Sequence, residues 1–156
     1  MPTIPYAPAG CETFSPYLIV RGAVAALDFY HRAFGAEELF RMPGPDGRIM
    51  HATLRFGTAT LMLADEFPEG KILSPESLGG SPVCLCLYVP DADAACAKAV
   101  AAGATFLRPV ADQFYGERSG YLVDPFGHRW NLATVIQELS GEEMLRRAAE
   151  APPAAK

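Results

Sequence analysis

The sequence has no excess of positive charge and few ionisable side chains. Among its 156 residues, 13 are lysine or arginine and 18 are aspartate or glutamate, which gives a net charge of −5. Nucleic-acid-binding proteins usually concentrate basic side chains on one surface, so the lack of a basic cluster predicts no nucleic-acid partner. Charged residues make up 20% of the chain and hydrophobic residues 50%, a composition that excludes wholesale disorder.

Long apolar segments are also missing. No run reaches the ~18 apolar residues that a membrane-spanning helix needs. Residues 1–17 contain neither the basic region nor the apolar region of a signal peptide. We therefore expect a cytoplasmic protein with no membrane partner.

Cysteine is scarce, with four residues at positions 11, 84, 86 and 96. Cys84 and Cys86 are two positions apart, which places them on one face of a strand and differs from the C-x-x-C spacing of redox and zinc sites. Isolated thiols of this kind are typical small hydrophobes of a reducing compartment. We expect no structural disulfide.

An internal repeat dominates what is present. The order strand, helix ending in Gly-Ala, strand, hairpin, strand runs from Tyr17 to Ala64 and again from Leu85 to Thr134, at an offset of about 69 residues. One βαβββ unit alone cannot cover its own sheet, so two units are expected to pair. The predicted fold class is α+β, with two βαβββ modules forming a cupped mixed sheet whose concave side is a natural ligand site.

The repeat also predicts the domain organisation. We expect a single domain over residues 14–137, with module 1 at 14–64, a junction loop at 65–82 and module 2 at 83–137. Ser140 and Glu143 match the S-x-x-E capping box, which predicts a C-terminal helix over residues 140–150. Residues 1–13 and 151–156 are expected to be flexible ends.

Two segments resemble a known family. ALDFYHRAFGAEE (residues 26–38) and FYGERSGYLVDPFGHRWNLAT (residues 114–134) resemble the glyoxalase/bleomycin-resistance/dioxygenase family, also called the vicinal oxygen chelate superfamily, and within it the PhnB-like branch. The resemblance covers about residues 14–150. It implies two modules that form a cupped sheet, a homodimer, and a small-molecule pocket in each cup.

The resemblance further implies four metal-ligand positions, commonly His, Glu, His and Glu. In this chain those positions carry Ser15, Met62, Cys84 and Asn131. Hard or borderline divalent ions prefer carboxylates and imidazoles, so we expect neither the usual divalent metal nor another cofactor. Two alternatives remain: a divalent metal on shifted ligands such as His51 with Asp65 or Glu66, and a soft zinc or copper site formed by Met62, Cys84 and Cys86.

The candidate ligand-binding residues are Tyr17, His51, Cys84, Cys86, Tyr115, Arg118 and Asn131. His51 is also the candidate catalytic residue, because strand alternation groups it with Ile49, Thr53 and Arg55 and an imidazole can act as a general base. Its alternative role is that of an ordinary structural histidine.

Arg118 follows an aromatic loop and could bind a carboxylate or phosphonate, or could pair with Asp124 or Glu117 to hold the loop. His128 is expected to fix the turn in which it lies. Trp130 is expected to face away from Asn131, beneath the helices.

These patterns favour a protein that binds a small organic molecule without a metal. The alternative is a metal-dependent lyase, isomerase or dioxygenase with shifted ligands. A purely structural interaction module has no positive sequence feature in its support.

Overall fold

The computed structural model describes residues 14–151, so Cys11 and the ends at 1–13 and 152–156 lie outside the described residues. The first module contains β1 (Tyr17–Val20), α1 (Ala23–Phe34), β2 (Glu37–Pro43), β3 (Ile49–Phe56) and β4 (Ala59–Asp65). The second contains β5 (Cys84–Tyr88), α3 (Ala92–Ala102), β6 (Thr105–Asp112), β7 (Glu117–Val123) and β8 (Arg129–Val135). Between the modules lie a 3₁₀ turn (Pro68–Gly70) and α2 (Pro75–Leu78), and α4 (Gly141–Glu150) follows them.

Both modules form a four-stranded mixed sheet with the same topology. The strand orders are β1-β4-β3-β2 and β5-β8-β7-β6. The first strand of each module pairs in parallel with the last, and the remaining pairs are antiparallel. The predicted α+β fold of two βαβββ modules is confirmed.

Helix boundaries follow the local chemistry of the chain. Helix α1 ends at Gly35, whose φ of 69° is the left-handed conformation in which glycine is favoured. Helix α3 begins after Asp91, whose carboxylate accepts the N–H of Ala94 at 2.9 Å. Aspartate is a favoured residue at this capping position.

The two modules meet through their helices. Helices α1 and α3 pack on each other, and each also covers one face of its own sheet. Rings from both modules share the core, since Trp130 is 3% exposed and its ring centroid lies 4.6 Å from that of Phe34. Trp130 therefore faces the helices as predicted, and the sheet faces opposite the helices are left open.

A buried carboxylate ties the modules together. Asp124 is 4% exposed, and its Oδ2 accepts the hydroxyl of Tyr30 at 2.8 Å and the indole N–H of Trp130 at 2.9 Å. The pKa of Tyr30 is raised well above its ordinary value, mainly because the hydroxyl is buried and secondly because the Asp124 carboxylate is close to it. Because Tyr30 lies on α1 and Asp124 follows β7, this contact couples the two modules.

His128 adds a second link between the modules. Its Nε2–H donates to the carbonyl of Ile19 on β1 at 2.9 Å, and its backbone N–H donates to Asp124 at 2.9 Å. The histidine was expected to fix its own turn. It does so, and it also fixes that turn to the first strand.

The junction is more ordered than a plain loop. Glu66 accepts hydrogen bonds from Arg21, Ser74 and Ser77. These hydrogen bonds lower the pKa of Glu66 to about 2, with the bond from Ser77 contributing most and the bond from Arg21 next. The junction is thereby attached to the start of α1.

Helix α4 begins where the capping motif predicts. The hydroxyl of Ser140 accepts the N–H of Glu143 at 3.2 Å. The Glu143 carboxylate pairs with Arg146 and Arg147 instead of returning to Ser140, so only half of the capping box forms. No residue of α4 is buried. Within residues 14–151, no helix is long and apolar enough to cross a membrane.

Candidate functional site

Strand alternation produces two open sheet faces. The first open face is the side of β1, β3 and β4 that carries Tyr17, His51, Thr53 and Met62. The second open face is the side of β5, β7 and β8 that carries Cys84, Cys86, Ser119, Tyr121, Arg129 and Asn131. Each face lies opposite the helix that covers its sheet.

A hydrogen-bonded chain of three side chains crosses the first open face. The Tyr17 hydroxyl and His51 Nδ1 share a hydrogen bond of 2.9 Å, and His51 Nε2 lies 3.1 Å from the hydroxyl of Thr53. Burial raises the pKa of Tyr17. A hydroxyl–imidazole–hydroxyl chain can move a proton in either direction, because each hydroxyl can donate or accept.

Alternation with Thr53 places His51 on this face, and a bulge in β3 separates it from Ile49. The register between β2 and β3 shifts between Met42 and Pro43, so one extra residue enters β3. Ile49 is 2% exposed in the core, whereas Met50 is 47% exposed. The alternation that grouped His51 with Thr53 is correct, and the inclusion of Ile49 in that group was wrong because the bulge reverses the alternation.

A small apolar cavity of about 340 Å³ adjoins Tyr17 on the first open face. Its walls include Ile19, Met50 and Phe67. This face therefore combines one polar chain with an apolar surround, the usual makeup of a small-molecule site.

The second open face brings Cys84, Cys86 and Asn131 together as predicted. Cys86 and Asn131 are in register on neighbouring strands, and Asn131 Nδ2 donates to Cys86 Sγ at 3.5 Å. Cys84 and Cys86 are exposed and free of disulfides. Burial and then the neighbouring Cys86 raise the pKa of the Cys84 thiol.

Two buried polar atoms of this face have no hydrogen-bond partner among the described residues. They are Ser119 Oγ and Asn131 Oδ1, in residues that are 1% and 7% exposed. Ser119 lies on β7 opposite Ala133, and Asn131 lies opposite Tyr121. A buried polar atom left unpaired costs ~1–3 kcal/mol, so two such atoms on one face mark a place where a ligand can supply the missing partners.

Tyr115 also belongs to this side of the second module. Burial raises the pKa of its hydroxyl, and the next largest influence, the neighbouring Ser119 hydroxyl, lowers it. The two hydroxyls are therefore close neighbours, although Ser119 Oγ makes no hydrogen bond of acceptable geometry among the described residues. Its neighbour Gly116 forms the turn between β6 and β7.

Arg118 does not lie on the second open face, which corrects its assignment to the ligand site. It alternates with Ser119 on β7 and so points to the helix side, where it pairs with Asp93 on α3 and with Asp112 on β6. The expected alternative partners, Asp124 and Glu117, are engaged elsewhere. Sequence alternation along GERSGY carried the signal for this orientation.

The residues at the family's metal-ligand positions do not form a donor set for a divalent ion. Ser15 shares a 2.5 Å hydrogen bond with the hydroxyl of Thr60, and Met62 lies beside Tyr17 on the first module. Cys84 and Asn131 belong to the other sheet. Residues 14–151 contain no group of three or more His, Cys, Asp or Glu side chains placed to hold a metal.

The shifted ligand set is not assembled either. Asp65 accepts the backbone N–H groups of Gly22, Ala23 and Ile49, and Glu66 is occupied in the junction. Both nitrogens of His51 are engaged with hydroxyls. For the soft alternative, the cavity that Cys84 and Cys86 line also includes Thr60 and Leu61 of β4 but not Met62.

Sequence reasoning missed four residues of the second open face: Ser119, Tyr121, Arg108 and Arg129. Alternation with the buried Leu122 could have placed Ser119 and Tyr121 there. Arg108 follows a register irregularity between Phe106 and Arg108, which alternation does not reveal.

Two βαβββ modules joined through their helices, each with an open sheet face, define the glyoxalase-like class of α+β proteins. The sequence matches the Glyoxalase/Bleomycin resistance protein/Dioxygenase superfamily over residues 13–132, and the chain belongs to that superfamily.

Named relatives agree with this assignment. A protein of uncharacterised function from Mycobacterium bovis is 47% identical over 133 residues, which cover 83% of this chain and 88% of that protein. The crystal structure of an Arabidopsis thaliana gene product is similar with a TM-score of 0.65 at 30% identity, covering 78% of this chain and 98% of that one. A PhnB protein of Bacillus cereus shares the fold with a TM-score of 0.62 at 20% identity, covering 79% and 99%. The predicted resemblance to the superfamily is confirmed.

Proposed function

We propose that this chain binds a small organic molecule on its open sheet faces, without the divalent metal of many superfamily enzymes. The observation that carries the proposal is the pair of unpartnered buried atoms, Ser119 Oγ and Asn131 Oδ1, on the second open face. Cys86 lies beside Asn131 and Tyr115 lies beside Ser119, so sulfur and aromatic surface adjoins the two atoms. Cys84 lies two residues before Cys86 on the same face of β5. A ligand that reaches both atoms would remove the cost of leaving them unpaired.

The first open face supports a second ligand contact. Tyr17 and His51 offer exchangeable protons there, beside the apolar cavity. If the bound molecule is also converted, His51 is the group placed to act as a general base, with Thr53 holding its ring.

Ser119→Ala tests the proposal on the second open face. Because Ser119 Oγ has no hydrogen-bond partner within residues 14–151, its removal is expected to leave the melting temperature unchanged or slightly raised. The same variant should lose about fivefold to tenfold in affinity for a ligand that bonds to this atom, since a typical hydrogen bond contributes ~1 kcal/mol. The measurement is a thermal-shift screen of small acids, amines and planar aromatic compounds, followed by titration calorimetry of each compound that stabilises the protein.

Thr134→Val provides the matched control for Ser119→Ala. Thr134 lies on the helix side of β8, and its hydroxyl donates to the carbonyl of Val89 at 2.8 Å. This variant should lower the melting temperature and leave ligand affinity unchanged. A marked loss of stability in Ser119→Ala with no change in ligand affinity would contradict the proposal. The metal-free part is tested by metal analysis of protein purified without chelator, and a content of about one metal ion per chain would overturn it.

We further propose that two copies of the chain form a homodimer that covers the open faces. Large apolar side chains remain exposed on them: Phe40 is 53% exposed and Met50 is 47% exposed beside the first, and Tyr88 is 61% exposed and Val135 is 54% exposed on the second. Several exposed apolar side chains on one sheet face are typical of an interaction site. Sedimentation equilibrium at micromolar concentration should give twice the chain mass of 16.8 kDa, and a monomer at all concentrations would contradict it.

A further inference from the structure

The arginines of this chain fall into two groups. Most form ion pairs with carboxylates: Arg21, Arg32, Arg41, Arg48, Arg55, Arg118, Arg146 and Arg147. Arg108 and Arg129 form neither an ion pair nor a side-chain hydrogen bond with any residue in the described part of the chain.

Both of these arginines lie at the second open face. The Arg108 guanidinium lies over the ring of Tyr121, 3.9 Å from its centroid. Arg129 is in register with Cys84 on one side and Val123 on the other. Burial and then Cys86 raise the pKa of the Cys84 thiol, and the charges of Arg129 and Arg108 lower it by smaller amounts. Both guanidinium groups are therefore close to Cys84, on the same part of the sheet.

Carboxylates around this face are engaged with other donors. Glu117 accepts the hydroxyl of Tyr88 at 2.7 Å, and Glu76 pairs with Arg21 at 2.8 Å. Arg129 also lines a cavity of about 370 Å³ together with Leu107 and Val123, between the junction and the turn that follows β7. Both arginines are exposed, and neither guanidinium is paired with a carboxylate among the described residues.

We propose that the second open face binds an oxyanion, with Arg108 and Arg129 as its cationic contacts, an inference that rests on the proposed small-molecule function. A guanidinium binds a carboxylate or a phosphate through charge-assisted hydrogen bonds. Ser119 Oγ can donate a further hydrogen bond, while Asn131 Oδ1 requires a donor. The ligand class is thus a small organic acid or phosphate monoester that also carries a hydroxyl or amine group.

Matched probes on the full chain separate charge from shape. 2-Hydroxybenzoate and inorganic phosphate supply the two kinds of oxyanion, and 2-hydroxybenzamide supplies the same ring and donor without the charge. Titration calorimetry should show that 2-hydroxybenzoate binds at least tenfold more tightly than 2-hydroxybenzamide. The affinity of the acid should fall as sodium chloride is raised, because salt screens exposed charges. Phosphate binding without carboxylate binding would assign the site to phosphate monoesters, and the reverse to carboxylic acids.

Arginine variants test the named residues. Arg108→Gln and Arg129→Gln are each expected to weaken oxyanion binding about tenfold, and Arg108→Lys should recover part of the loss because it restores the charge. Arg32→Gln is the matched control, because it removes the same charge from an exposed ion pair on α1 and should leave the affinity unchanged. Circular dichroism melting curves check that each variant is folded.

Two results would overturn the oxyanion inference. One is that the acid and the amide bind equally well, and that this binding depends on Ser119 but on neither arginine. That result would leave the proposed small-molecule function standing. The other is the absence of binding by both oxyanions. In that case the proposed function is judged separately, by whether any compound of the wider screen binds in a Ser119-dependent manner.

Discussion

Asp124→Ala is expected to destabilise the protein more than any other single substitution considered, by about 3–5 kcal/mol. The carboxylate of Asp124 accepts hydrogen bonds from Tyr30 and Trp130 and from the backbone N–H groups of Phe126 and His128. Its removal leaves all four donors without their partner in a site where Tyr30 is 0% exposed. Urea unfolding followed by tryptophan fluorescence measures the loss directly, since Trp130 is the chain's only tryptophan.

Asp124→Asn separates the missing hydrogen bonds from the missing volume. The amide has nearly the same size and keeps one acceptor oxygen, but its NH₂ group faces donors. We expect an intermediate loss, smaller than that of alanine. A loss below about 1 kcal/mol for alanine would show that water replaces the carboxylate and that Asp124 does not couple the modules.

Gly116→Ala should cost about 3 kcal/mol of stability, the second largest expected effect. Gly116 has a φ of 88°, and its carbonyl accepts the N–H groups of Ile136 and Gln137 at 2.9 and 3.0 Å. A Cβ atom at this position would overlap the backbone carbonyl oxygen of Gln137 and lie 3.2 Å from Leu139. Backbone cannot yield as a flexible side chain can, so the turn beside Tyr115 would have to move. Thermal unfolding by circular dichroism measures the effect.

Gly57→Ala is the control for the conformational part of this cost. Gly57 also has a positive φ, 59°, but a Cβ there meets nothing within 4 Å. It should lose only the ~1 kcal/mol that left-handed backbone costs a residue with a side chain. Equal losses in the two variants would show that the Gln137 carbonyl moves freely and that the close contact at Gly116 has no energetic consequence.

Most of the fold could be predicted from the sequence because its signals are local. Helix α1 was recognisable from the spacing of Leu27, Tyr30 and Phe34, and its end from Gly35. The repeat then determined the topology, since two copies of one strand and helix order give two sheets of the same strand order. The orientation of Trp130 followed from simple alternation with Asn131.

The candidate site was less predictable. The structure brings Tyr17 together with His51, and Cys86 together with Asn131, because each pair lies on the same face of one sheet. Their role in binding a ligand stays a prediction. Arg118 was misplaced because it was judged by its aromatic neighbours in sequence, although alternation turns it toward Asp93.

What the sequence by itself determined is the superfamily and the two modules. The lack of a usual metal-ligand set at Ser15, Met62, Cys84 and Asn131 stays a prediction that follows from the resemblance. What only the tertiary structure decided is which charges remain without partners. Whether an arginine is paired depends on neighbours that are distant in sequence, as with Arg118 and Asp93, which are 25 residues apart. Bulges are a second feature that only the tertiary structure reveals. At a bulge, the residues on either side of the extra residue no longer alternate regularly between the two faces of the sheet. Because a bulge depends on the pairing with another strand, the local sequence does not indicate it.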